Sequence, residues 1–261
     1  MCELLAFNFN QPVTPRFTFD NFIQRSNFHP HGWGLAWFPD NTAQIIKEAN
    51  LAAHSEMANF LVNYPMSKSE IIMGHIRFGN VGGVSHANTH PFTRTLWGKQ
   101  WVFMHNGTLR NAESTLKNNS FKPLGKTDSE LAFCYLLKRL KDEKRSMRQN
   151  GQRGYPSFEF FESVMQEINP FGNFNAIFSD GEYLYVYRDT RGYNGLNYLE
   201  RQAPFNFAEY RDMEWSVDLS LEKDPSISGV IISSHPQTEH ENWLPLQPGM
   251  LHVFKGGIKV F

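Results

Sequence analysis

Thr127-Asp128-Ser129-Glu130-Leu131-Ala132-Phe133-Cys134-Tyr135-Leu136-Leu137 is the stretch from which the fold is read. Thr127 offers a hydroxyl to cap a helix, and Glu130, three residues on, can reach back to complete a capping box. Leu131, Tyr135 and the Leu136, Leu137, Leu140 group supply its buried face. The helix is expected to fray into residues 138–153, where seven basic residues stand against two acidic ones and Gly151, Gly154 and Pro156 follow closely. Cations near the negative end of a helix have an ordinary electrostatic meaning, so this run does not point to nucleic acid. Phe158–Ile168 predicts a second long helix, stopped by Asn169-Pro170.

Working outward, strands lie on both sides of these helices. Residues 4–9, 33–38, 43–49, 70–77 and 101–105 mix apolar and aromatic side chains over strand length, with a short helix expected within 55–62. The strand at 101–105 runs into Asn106-Gly107, a pair suited to a tight turn. After the helices come strands at 173–178 and 183–188, joined through Asp180-Gly181, then 229–234 and 250–254. Gly256-Gly257 closes a terminal hairpin onto 258–261. Strands, then paired helices, then strands again predict one α+β domain over residues 1–261, not an alternating βαβ chain.

Composition excludes several function classes. The chain has 261 residues, with 25 Lys+Arg against 26 Asp+Glu and a formal charge of -1, so no global field draws it to a polyanion. Two cysteines cannot build a disulfide framework. The N-terminus has no basic n-region, and no apolar run approaches the ~20 residues that cross a bilayer. A cytoplasmic protein with no membrane or nucleic-acid partner is expected. Ten histidines invite a metal reading, but His75, His86, His90 and His105 form no compact zinc motif, and Cys134 has no nearby cysteine. No phosphate-binding or dinucleotide fingerprint is present, so neither metal nor cofactor is expected.

Cys2 follows the initiator methionine directly. With Met1 removed, its thiol and a free α-amine of pKa about 7.7 to 8.0 would share one residue, nucleophile and base together. Taken alone, Cys2 reads more simply as the start of a buried strand, since cysteine is a common core residue. The ordered set Cys2-Glu3-Leu4-Leu5, Gly74-His75-Ile76-Arg77, Asn88-Thr89-His90-Pro91-Phe92, His105-Asn106-Gly107 and Thr127-Asp128-Ser129-Glu130 resembles the class II (N-terminal nucleophile) glutamine amidotransferases. Gly32-Trp33-Gly34, Pro91-Phe92-Thr93-Arg94, residues 174–181 and Gln202-Ala203-Pro204-Phe205 look like the stand-alone bacterial YafJ-type members.

The resemblance implies an N-terminal nucleophile (Ntn) hydrolase-like four-layer αββα sandwich with two antiparallel sheets. It implies hydrolysis of the glutamine side-chain amide through a γ-glutamyl thioester on Cys2, releasing glutamate and ammonia. Asn106 and Gly107 would hold the oxyanion. Arg77 would grip the α-carboxylate, Asp128 would hold the α-ammonium, and His90 would shape the pocket. Arg77 is followed here by Phe78-Gly79-Asn80, where related enzymes usually carry Trp-Ala-Thr. The expected ligand is glutamine or another γ-glutamyl small molecule, with a separate synthase subunit as a possible acceptor of ammonia. A hydrolase of another γ-glutamyl amide or peptide and a catalytically silent glutamine-binding regulator are the alternatives.

Overall fold

A computed structural model describes residues 2–14, 22–24, 30–62, 68–79, 81–203, 207–210, 216–218 and 224–261. In chain order the first half contains β1 (Glu3–Val13), β2 (Trp33–Trp37), β3 (Gln44–Glu48), α1 (Glu56–Val62), β4 (Ser69–Ile76), β5 (Phe92–Leu96) and β6 (Lys99–Leu109). Helices α2 (Glu113–Leu116), α3 (Asp128–Gln149) and α4 (Phe158–Ile168) follow. The second half contains β7 (Gly172–Ser179), β8 (Leu184–Tyr187), β9 (Asn197–Gln202), β10 (Phe207–Tyr210), β11 (Ser216–Asp218) and β12 (Ser228–Ser233). Last come β13 (Thr238–Glu239), β14 (Leu244–Pro245), β15 (Leu251–Lys255) and β16 (Ile258–Lys259).

These strands build a seven-stranded antiparallel sheet ordered β14-β9-β12-β1-β4-β2-β3 and a six-stranded one ordered β16-β15-β8-β7-β6-β5, with a small sheet β11-β10-β13 beside them. Successive side chains along a strand face opposite ways, and both faces of each large sheet are apolar. Leu4 and Ala6 of β1, with Ile71 and Met73 of β4, meet Val102, Met104, Ile177 and Val186 of the second sheet. Their neighbours Leu5, Phe7 and Ile72 point the other way, onto Ala58 and Leu61 of α1 and onto Phe22 and Ile23. Trp101, Phe103, Phe178 and Tyr185 cover the outer face of the second sheet and pack under Leu136, Leu140, Phe161 and Val164 of α3 and α4. Helices, sheet, sheet and helices therefore form the four-layer αββα sandwich. The outer aromatic layer is stacked, with Phe178 and Tyr185 nearly parallel at 4.7 Å between centroids.

Several local expectations are corrected. Asn106-Gly107 is not a turn: both residues continue β6 and pair with Asn175 and Phe174 of β7. The capping box is half made, since Thr127 Oγ1 accepts the Glu130 N–H at 3.2 Å, while the Glu130 carboxylate accepts from the Leu124 and Gly125 N–H groups and pairs with Arg94. The basic run does not fray at residue 138. It continues as helix through Gln149, supported by the Lys138–Asp142 and Arg139–Glu167 pairs and by Lys144 over the Trp97 and Tyr155 rings. Strand β9 escaped the pattern because Leu199 is its one buried residue. Pro204 and Phe205 of the Gln202 motif, and Met1, lie outside the described residues.

Leu4→Ala would open a cavity between the sheets. The expected loss of stability is about 2–5 kcal/mol by chemical denaturation; a loss below about 0.5 kcal/mol would contradict this packing.

Candidate active site

The alternation that fills the inter-sheet gap also equips its open end. Leu4 and Ala6 point into the gap, so Cys2, at the same parity, is delivered to its edge. Ile71 and Met73 lead likewise to Arg77, and Val102 and Met104 to Asn106. Cys2, Arg77, His90, Gly107 and Asp128 line one cleft, together with Thr127 and Ser129 at the start of α3. Its free volume is about 30 Å³, room for a water or two.

Cys2 is half-buried and is held from several sides. Its Sγ accepts the Phe78 N–H at 3.2 Å. Its carbonyl accepts the Asn106 Nδ2 at 2.6 Å and the Asn194 Nδ2 at 3.2 Å. Desolvation pushes the thiol up to about 11, against the opposing pull of the Phe78 backbone hydrogen bond and the Arg77 charge. Burial therefore favours the protonated thiol over the thiolate.

Gly107 is required by space. A Cβ there would overlap the Asn173 carbonyl and lie 2.6 Å from His105 Nε2, at a φ of +155°. The Leu109 N–H, on the same edge of β6, donates to Asp128 Oδ2 at 2.6 Å, away from β7. The alternation of an antiparallel ladder turns the Gly107 N–H toward that edge as well.

Arg77 is 3% exposed. Its Nη2 donates to the Val81 carbonyl at 2.8 Å and its Nη1 to the His31 carbonyl at 3.4 Å. Gly79 closes over the guanidinium, where a Cβ would stand 2.6 Å from Nη1. Burial pulls the guanidinium below its ordinary value, and Cys2 and Asp128 raise it again. A carboxylate entering the cleft would replace neutral carbonyls with a charge-assisted acceptor, a stronger partner for the fork.

His90 is buried and stacked on His75 at 4.1 Å between centroids. Among the described residues neither of its ring nitrogens has a hydrogen-bond partner. Burial, then the neighbouring His75, His105, Lys47 and Arg77, holds its pKa well below the usual histidine value, so the ring is neutral. The segment carrying it is clamped: Lys47 Nζ donates to the Thr89 and Pro91 carbonyls at 2.7 and 3.3 Å, and Gly34 leaves no space for a Cβ under the His90 carbonyl. His105 lies behind the cleft, its Nε2 against the Asn173 carbonyl at 3.1 Å and its Nδ1 against Ser129 Oγ at 2.9 Å. The carbonyl can only accept, so Nε2 carries the proton and Nδ1 accepts from the serine. Among the described residues no three His, Cys, Asp or Glu side chains are grouped to hold a metal, and no helix is long and apolar enough to cross a membrane.

Over residues 1–261 the sequence matches the family described as glutamine amidotransferases class-II. It is 35% identical over 263 residues to YafJ of Escherichia coli (strain K12), named provisionally as a glutamine amidotransferase, with both chains covered completely. It is 38% identical over 261 residues to a protein of Methanocaldococcus jannaschii, covering all of this chain and 71% of that one. The 2.0 Å crystal structure of a predicted glutamine amidotransferase from Pseudomonas aeruginosa PA01 superposes with a TM-score of 0.73 at 30% identity, over the whole of both chains. The stacked sheets and the motif order of the cleft thus have one explanation: the chain belongs to the class-II glutamine amidotransferases, enzymes of the N-terminal nucleophile fold.

Sequence reading missed Asn194, Lys47 and His31 as neighbours of the site. Asn194-Gly195 did carry a signal, because Asn-Gly marks positive-φ turns, and φ is +51° and +64° at these two residues.

A histidine neutral when folded and protonated when unfolded makes stability fall as pH drops below its unfolded pKa, near 6.5. His90→Gln is expected to reduce the slope of unfolding free energy against pH between pH 7 and 5 by about one proton. Equal slopes for the two proteins would contradict the neutral, buried assignment.

Proposed function

We propose that this amidotransferase hydrolyses the glutamine side-chain amide, with Cys2 as nucleophile once Met1 has been removed. The reading is carried by the meeting of a thiol, a guanidinium and a carboxylate in one cleft at the end of the inter-sheet gap. The Cys2 α-amine, directly or through water, takes the thiol proton, and Sγ forms a bond to the γ-carbon of glutamine. The oxyanion is stabilised by the Gly107 N–H and by the second N–H of the Asn106 amide, whose first is held on the Cys2 carbonyl. Collapse of the adduct returns the proton to the leaving nitrogen and expels ammonia. Water then attacks the thioester, releasing glutamate and restoring the thiol. Arg77 holds the α-carboxylate, Asp128 the α-ammonium, and His90 forms the neutral wall of the pocket.

Burial disfavours the thiolate, so a base adjacent to the sulfur supports its attack. The ammonia passes to a separate synthase or is simply released. A larger γ-glutamyl amide is the second reading, favoured by a neighbouring cleft of about 930 Å³ that shares Val81, Thr127 and Asp128 with the site.

Glutamate release from glutamine and from a panel of γ-glutamyl amides tests both readings. Cys2→Ala should abolish turnover while preserving the fold, and Arg77→Ala should raise KM for glutamine at least ~10-fold. Intact mass should be lighter by one methionine. Turnover retained by the Cys2 variant would refute the nucleophile, activity confined to a larger amide would replace glutamine as substrate, and binding without turnover would favour the silent regulator.

A further inference from the structure

The segment 189–195 reaches the nucleophile without belonging to any motif that pointed to the site. Its base is fixed by a buried carboxylate. Asp189 is fully buried, and its Oδ2 accepts the Asn169 Nδ2 and the Phe174 N–H, each at 2.8 Å. Asp189 Oδ1 accepts the Arg191 N–H at 2.8 Å. Its tip is fixed by Asn175, also fully buried, whose Nδ2 donates to the Tyr193 carbonyl at 2.6 Å and to the Gly195 carbonyl at 3.0 Å. One amide thus holds the carbonyls on either side of Asn194, and Asn175 Oδ1 closes the network by accepting the Asp189 N–H at 2.8 Å.

Asn175 is also the cross-strand partner of Asn106. The same pair of strands therefore brings two asparagines to Cys2, one directly and one through the segment. Both donate Nδ2 to the Cys2 carbonyl. Both also leave Oδ1 buried with no hydrogen-bond partner among the described residues. A buried amide oxygen without a donor is costly, about 1–3 kcal/mol, and Asn194 adds a left-handed φ of +51°. Costs of this kind persist where a function uses them. Removal of Met1 would convert the single peptide N–H of Cys2 into an α-amine, which carries more than one N–H donor on the same residue.

We propose that Asn194 is a positioning residue for the nucleophile: its amide nitrogen, with that of Asn106, locks the Cys2 carbonyl, and its buried oxygen receives an N–H of the freed α-amine. The inference rests on Cys2 being the processed nucleophile. It adds a second contact that sets the direction and the basicity of the amine. The other charged and titratable groups around Cys2 are Glu3 on its own strand, Arg77 after β4, Asp128 at the start of α3, Tyr193 on the same segment, and His90 and His105 on the cleft wall.

The test uses two variants of the full, processed chain. Asn194→Gly removes the side chain where φ already suits glycine, so the fold is retained and melting is unchanged or raised. Asn194→Asp keeps the acceptor oxygen and adds charge. For each, kcat and KM with glutamine are measured, together with the rate of Cys2 alkylation by iodoacetamide against pH, read by peptide mass. In Asn194→Gly, kcat is expected to fall about 10- to 100-fold with KM within about twofold. The alkylation profiles should move in opposite directions, the Asn194→Asp limb rising by about one pH unit and the Asn194→Gly limb falling. Wild-type kcat in Asn194→Gly, or profiles superimposable on wild type in both variants, would overturn the proposal. If the wild-type protein does not turn over glutamine, the substrate reading fails separately, and the alkylation profiles alone decide the role of Asn194.

Discussion

The contact between the inner faces of the two sheets is the constraint on which the site depends. Leu4, Ala6, Ile71 and Met73 on one side and Val102, Met104 and Ile177 on the other are all buried in one apolar layer. A strand has only two faces, so fixing these residues inward fixes where Cys2, Arg77 and Asn106 project. A one-residue slip of β1 would turn the sulfur away from the gap. The apolar layer thus serves both as the main source of cohesion between the sheets and as the ruler that sets the cleft.

The polar layer at the end of the gap follows a second rule, that buried donors and acceptors are matched or held ready for a ligand. Most are matched: the Cys2 carbonyl by two amides, Asp189 by backbone and side-chain donors, His105 by Ser129 and Asn173. Four of the exceptions lie around the cleft, His90 Nδ1 and Nε2 and the Oδ1 atoms of Asn106 and Asn194, which lack partners among the described residues. Burial also keeps His90 neutral and the Cys2 thiol protonated. A thiol desolvated in this way is less reactive toward electrophiles in solution than an exposed one.

The helices at α3 and α4 and most strands were legible because their apolar periodicities match the faces they bury. Phe158–Ile168 was read with the bounds the structure gives. The two Asn-Gly pairs expose the limit of local reading. Asn106-Gly107 looks like a turn but lies within an 11-residue strand, because β7 pairs with residues 102–109 and because the tight approach of Asn173 demands glycine at position 107. Asn194-Gly195 is the pair at positive φ, and its importance depends on Asn175 and Cys2, residues 19 and 192 positions away from Asn194. The motif residues of the site were visible through resemblance. Lys47 and His31 were not, because their work is done through backbone carbonyls and N–H groups of segments far along the chain.

The central claim is that one accessible sulfur is aimed into a pocket that grips a glutamyl group. The most direct measurement is covalent labelling by an electrophilic diazoketone analogue of glutamine, mapped by peptide mass spectrometry with and without glutamine. One label per chain is predicted, on Cys2, slowed by glutamine and by Arg77→Ala, with the fully buried Cys134 unmodified. Labelling of Cys2 that glutamine does not slow, or no labelling of Cys2 in a protein that has lost Met1, would contradict the account.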